Sequence, residues 1–180
     1  MAMVEVTIDS IRVSLMSQQR IVILKEVDSD RFLPIWIGAY EAEAITLSLQ
    51  EIEVTRPLTH DLLRNVLNDL GAEVMRVNIT ELRDDVFYAR ILIRVDDREL
   101  EIDSRPSDAL ALAVRVHTPI FVSEEVMDEA ATVPEEEVEE GGLPEDEETS
   151  DERLEVFENF LDQLELDDSE DEDDEPEEDD

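Results

Sequence analysis

Twice within the first 130 residues, three strand-like runs are followed by a run of helix-formers. That order leaves few options: strands joined by short turns pair antiparallel, and each following helix must cover the sheet to bury its own apolar side. In the first unit Val4, Val6 and Ile8 alternate with polar residues, and Ile11, Val13 and Leu15 do so with the parity shifted by one. A bulge near Asp9–Ser10 makes these one long strand. "RIVILKEV" and "RFLPIWI" follow across the turn "DSD", and "AYEAEAITLSLQEI" reads as helix. In the second unit "AEVMRVNITEL", "VFYARILIRV" and "RELEID" are strands joined by "RDD" and "DD", and "PSDALALAVRV" is the helix.

Between the units, "RPLTHDLLRNVLNDLG" predicts another helix. Thr59 suits its N-cap, Leu62, Leu63, Val66, Leu67 and Leu70 line one face, and Gly71 stops it. "PIFV" is a short strand and "EEVMDEA" a last turn or two of helix. An offset of 67 residues places Arg31, Leu33 and Ile35 on Arg98, Leu100 and Ile102, and Glu41, Ala42, Ala44 and Ile45 on Asp108, Ala109, Ala111 and Leu112. The expected fold is α+β: a mostly antiparallel sheet with helices on one face, built from a duplicated strand-strand-strand-helix unit.

That domain occupies residues 1–130. Residues 131–150, acidic and broken by Pro and Gly, read as a disordered linker. Residues 151–166 read as a short amphipathic helix, with Leu154, Phe157, Leu161 and Leu164 on one stripe. It either docks on its own domain or engages a protein partner through helix 153–166. Residues 167–180 are almost wholly acidic and read as a disordered tail.

The net charge is −38, of which residues 1–130 carry −12 and residues 131–180 carry −26. Lys25 is the only lysine among fourteen basic residues. A lysine-poor, carboxylate-rich surface suits a protein of a halophile, where concentrated salt screens the self-repulsion. The absence of cysteine excludes disulfides and thiolate metal sites. "MAMVEVTIDS" has no secretory pattern, and no run of ~18 apolar residues suggests a membrane span. A cytoplasmic protein is expected, with no membrane partner.

The second sheet face of the later unit is polar, carrying Arg76, Asn78, Thr80, Tyr88, Arg90, Arg94, Glu99 and Glu101. In the earlier unit Phe32, Trp36, Val22 and Leu24 make both faces apolar. Such a face should not stay wet. A homodimer or larger homo-oligomer, or cover from the C-terminal helix, would bury it.

No Gly-rich phosphate loop is present, and two histidines exclude a histidine-rich zinc site. His60 stands in the first turn of a helix beside Asp61, and His117 at a helix end, where an imidazolium suits the dipole. A serine triad would need Ser107 beside one of them, which nothing in the spacing compels. Carboxylates remain. Glu41 and Asp108 begin equivalent helices after equivalent strands; Glu43, Asp61 and Asp103 lie at neighbouring strand ends or helix starts. If they meet, they can hold Mg²⁺ or Mn²⁺ and activate water against a phosphodiester. The structural account is that Pro106 takes the first helical position and acids in the first turn stabilise the helix end by ~0.3–1 kcal/mol.

"LPIWIGAYEAEAI" (33–45), "RPLTHDLL" (56–63), "FYARI" (87–91), "DSRPSDALALAVR" (103–115) and "PIFVSEEV" (119–126) resemble the bifunctional nuclease domain family, in order, from about Val4 to Ala130. Ser104 departs from the family's alanine, small for small. The resemblance implies an intracellular α+β domain with nuclease activity on DNA and RNA. Its motif positions supply the candidate site. Asp103, Arg105, Ser107, Asp108, His60 and Asp61 are candidate catalytic residues, with Arg105 steadying a phosphate. Glu41, Asp103 and Asp108 are candidate ligands for Mg²⁺ or Mn²⁺. The competing expectation is a non-enzymatic, dimeric interaction or regulatory module. In its favour, the net charge opposes nucleic-acid binding, which draws on Lys and Arg. Arg76, Arg90 and Arg94 form the only basic strip.

Overall fold

The structure is a computed structural model that describes residues 2–14 and 19–133. Of the linker expected over residues 131–150, all from residue 134 onward lies outside the described residues, as do the amphipathic helix 151–166 and the tail 167–180.

Seven strands and four helices follow the order read from the sequence: β1 (Met3–Val13), β2 (Arg20–Glu26), β3 (Phe32–Ile37), α1 (Ala39–Leu49), α2 (Thr59–Asp69), β4 (Ala72–Arg83), β5 (Val86–Val95), β6 (Arg98–Ser104), α3 (Pro106–Val116), β7 (Ile120–Ser123) and α4 (Glu124–Ala130). They form one sheet in the order β3-β2-β1-β7-β4-β5-β6. Two antiparallel meanders thus flank β7, which pairs antiparallel with β1 and parallel with β4. The fold is α+β with a mixed, mostly antiparallel sheet.

Local chemistry explains the details. Ile8 pairs with Leu24 and Ser10 with Ile23, so Asp9 is the extra residue of a bulge, which reconciles the two parities of β1. Asp84 and Asp85 both take positive φ in the two-residue β4–β5 turn, a conformation short Asp side chains tolerate. Pro34 sits in β3, an edge strand, where a missing N–H spoils no ladder. Thr132, at the start of the segment read as linker, exchanges two backbone hydrogen bonds with Phe32.

α3 is central among the described elements. Ala109, Leu110, Ala111, Leu112 and Ala113 are essentially unexposed. The alanines let α1 and α2 approach α3 on one side and β4 and β5 on the other. Val22, Leu24, Leu33, Ile45, Ile79, Val122 and Met127 belong to the same buried cluster. Removing a leucine such as Leu110 would cost ~2–5 kcal/mol. Val22 and Leu24 are therefore core residues, and the other face of β2 and β3 carries Ile21, Ile23, Pro34 and the exposed Trp36.

α2 departs most from its pattern. Leu62, Leu63, Val66 and Leu70 are exposed, Leu67 is partly buried, and the buried residue is His60. The helix is turned by its polar side: His60 and Asp61 are drawn to partners on α3, and the apolar stripe is left facing out. Its N-cap is Leu58 rather than Thr59. The Asp61 carboxylate accepts the N–H of this cap residue at 2.9 Å, the reciprocal half of a capping box, while no side chain caps the first-turn N–H groups as Thr59 was expected to. Gly71 does end the helix, at φ 70°.

Candidate functional site

Three helix starts meet beside an open cleft of about 560 Å³. α1 and α3 begin alike: their N-caps, Gly38 and Arg105, share an extended backbone, and neither uses a side-chain cap. Each helix then carries an acid in its first turn, Glu41 and Asp108, favoured there by the helix dipole. α2 adds His60 from its own first turn.

Arg105 gathers these groups. Its Nη2 donates to Glu41 Oε1 at 2.8 Å and to Asp108 Oδ1 at 3.2 Å, and its Nε donates to Asp108 Oδ2 at 2.7 Å. Among the described residues Nη1 has no partner. His60 Nε2 lies 3.1 Å from Asp108 Oδ1. The His60 side chain is nearly buried, Asp108 is a third exposed, and Arg105 is largely open to solvent. Burial alone would raise the Asp108 carboxyl, but hydrogen bonds from Arg105 and His60 outweigh it and hold Asp108 below its ordinary value. Asp108 is thus an anion at neutral pH and accepts the Nε2–H of His60.

Gly38 leaves room for the Glu41 carboxylate. A Cβ there would run into the Glu41 carboxylate, which folds back over the cap toward Arg105.

A second tier holds the first. Arg115, two turns beyond Asp108, is buried; its Nε donates to Asp61 Oδ1 at 2.7 Å, Nη1 to the Ala111 carbonyl at 2.7 Å and Nη2 to the Ala44 carbonyl at 3.0 Å. One guanidinium thereby joins α1, α2 and α3. Burial works against ionisation of Asp61, but the Leu58 N–H and Arg115 overcome it and hold its carboxyl low.

The candidate residues therefore separate. Glu41, His60, Arg105 and Asp108 come together. Asp61 is engaged by Arg115 beneath the cleft. Asp103 stands apart on β6, its Oδ1 3.2 Å from Arg90 Nη1. Ser107 is buried and lines a neighbouring cleft with Trp36, not the one with His60. His117 caps α3 in a left-handed conformation. The basic strip is largely offset: besides Arg90, Arg94 pairs with Glu73 and Glu99, and Arg76 lies over the Phe121 ring.

The residues present do not fit a divalent ion at Glu41, Asp103 and Asp108. Among the described residues no three His, Asp or Glu side chains are placed to hold a metal. The guanidinium of Arg105 occupies the position between Glu41 and Asp108 that a cation would need.

Arg115 and Gly38 carried no weight in the sequence reading. A single charge inside the "ALALAVRV" run was the available signal for Arg115, since a buried helix face retains a cation only when it is paired. Gly38 is one of four glycines and sits 67 residues before Arg105.

Comparison with known proteins gives two findings. The family model of the bifunctional nuclease domain matches residues 22–135. An uncharacterized protein of Mycobacterium tuberculosis is 41% identical over 167 residues, spanning 91% of this chain and 96% of the relative. "Bifunctional nuclease 1" of Oryza sativa subsp. japonica is 30% identical over 109 residues, 59% of this chain and 33% of the plant protein. "Bifunctional nuclease 2" of Arabidopsis thaliana is 27% identical over 106 residues, 57% and 32% respectively. Among the described residues no helix is long and apolar enough to cross a membrane.

Proposed function

Because the chain belongs to the bifunctional nuclease domain family, we propose that it hydrolyses phosphodiester bonds of nucleic acid in the cleft between the starts of α1, α2 and α3. The carrying observation is the His60–Asp108 pair at 3.1 Å beside Arg105. Asp108 fixes the imidazole with Nε2 protonated, and Nδ1 takes a proton from the attacking water. Water oxygen bonds to phosphorus, the bond to the leaving oxygen breaks, and that oxygen takes its proton from solvent. Arg105 donates to the phosphate as negative charge builds on it. Glu41 holds Arg105 in place, and Asp61 with Arg115 holds α2. No step runs through an ion bound by Glu41, Asp103 and Asp108, since Arg105 fills that position.

The test is cleavage of single-stranded and duplex DNA and RNA by purified protein, with Mg²⁺ and with EDTA. Loss of cleavage in His60→Ala and Asp108→Asn variants with an unchanged circular-dichroism spectrum is expected. Cleavage retained by both variants, or abolished by EDTA alone, overturns the assignment.

The outward face of α2 favours a second reading, a homodimer acting as an interaction module. Leu62, Val66 and Leu70 repeat every four residues, all exposed, on a helix whose other side is already engaged. Light scattering with size exclusion decides it: Leu62→Glu with Val66→Glu should convert a dimer to a monomer. A monomeric parent removes this reading.

The equivalent caps of α1 and α3, with acids three residues later reaching one guanidinium, support descent of the two units from one.

A further inference from the structure

Arg105 lines two clefts. Beyond the one containing His60 lies another of about 340 Å³, walled by Trp36, Gly38, Val86, Phe87, Pro106 and Ser107 as well as Arg105. Trp36 is the only tryptophan in the chain, and it stands 57% exposed at the end of an edge strand. A large indole is costly to leave in water unless something stacks on it. On the other side of Arg105, Tyr40 stands almost fully exposed at the mouth of the His60 cleft. Arg105 thus borders two clefts, each lined by one exposed aromatic ring.

We infer that the Trp36 cleft is a base subsite for single-stranded nucleic acid, in which an unpaired base stacks on Trp36 while its phosphate meets Arg105 at the edge of the His60 cleft. This rests on reading that cleft as a phosphodiester site. The chemistry of the two walls selects the ligand. A flat π-face, the apolar side chains of Val86 and Phe87 and one adjoining cation match a nucleotide, and Asp85, which lines the same cleft, leaves room for no second phosphate there. A duplex keeps its bases stacked on each other and out of reach. Among the described residues Arg105 is also the only Lys or Arg lining either cleft, so backbone contact is limited to about one phosphate. Affinity then comes from stacking rather than counterion release. That accounts for how a domain this acidic can bind nucleic acid, and it demands a shallow salt dependence, with log K falling against log salt with a slope of about −0.7.

The single tryptophan makes the test direct. The full chain, carrying His60→Ala to prevent turnover, is titrated with a short oligothymidylate, with its duplex, and with an abasic strand of equal length. Tryptophan fluorescence and the anisotropy of labelled strands are followed. Quenching by the oligothymidylate but not by duplex or abasic strand is expected. Trp36→Leu should weaken binding on the order of tenfold or more, and Trp36→Phe should restore most of it. Fluorescence unmoved at saturating oligothymidylate, equal binding by Trp36→Leu, or a steep salt slope overturns the subsite. If cleavage by the parent needs His60 and Trp36 stays silent, the subsite alone fails. If Trp36 is quenched and cleavage does not need His60, the hydrolytic assignment fails and a single-strand binding site stands.

Discussion

Asp61 and Arg115 form a 2.7 Å hydrogen-bonded ion pair that fastens the start of α2 to α3, and the Arg115 side chain is 4% exposed. Together with the His60–Asp108 pair it lies on the side of α2 that faces inward. Asp61→Ala leaves a buried guanidinium without its carboxylate and should cost ~3–5 kcal/mol, read as a fall in the urea midpoint. Asp61→Leu combined with Arg115→Met should recover part of that loss. If Asp61→Ala is neutral, the pair does not hold α2.

Acid should unfold the domain through a few carboxylates. Hydrogen bonds from Arg31 and Ser29 hold Glu26 below its ordinary value, and Asp61 and Asp108 are likewise held low despite burial. A folded-state value below the unfolded one means the unfolded chain binds more protons. The contribution is complete above the unfolded value of about 4 and is lost as pH falls through the folded value. Urea titrations from pH 6 to 2 should show stability falling below about pH 4, with a shallower fall in Asp61→Asn.

Arg105 should matter to the chemistry far more than to the fold. Its side chain is 66% exposed, so Arg105→Ala should change stability by at most about 1 kcal/mol. Removing a donor that meets developing charge should lower kcat about 10²–10³-fold. Arg105→Lys should do poorly, because an ammonium cannot reproduce the fork that spans Asp108 and reaches Glu41.

Gly38→Ala tests the close approach over the α1 cap. The backbone at Gly38, φ −69° and ψ 156°, suits alanine, so stability should stay within about 1 kcal/mol of the parent. The added methyl displaces the Glu41 carboxylate, so the loss of cleavage should equal that of Glu41→Ala. A Gly38→Ala enzyme with full activity would show that Glu41 need not hold Arg105.

Charge should make the whole chain salt-dependent. With 52 acidic against 14 basic residues, self-repulsion opposes the compact state and is screened as ions are added. The melting temperature should rise from dilute buffer to molar KCl, and the rise should be similar in sodium chloride if screening is the cause. A flat response would remove the argument for a protein adapted to concentrated salt.

The element order, the β1 bulge and the stop of α2 at Gly71 were legible in the sequence, because these follow from periodicity and from the φ that each residue tolerates. The sequence also named Glu41, His60, Arg105 and Asp108, and it set Asp103 beside them. That Arg105 takes the position between Glu41 and Asp108 while Asp103 turns to Arg90 comes from long-range packing. The same holds for α2, whose apolar stripe predicts the inward face and in fact looks outward. The physical reason is common to both. Apolar periodicity reports what a helix can bury, whereas the partner of a charge lies 48 to 64 residues away and is set by how helices pack across α3.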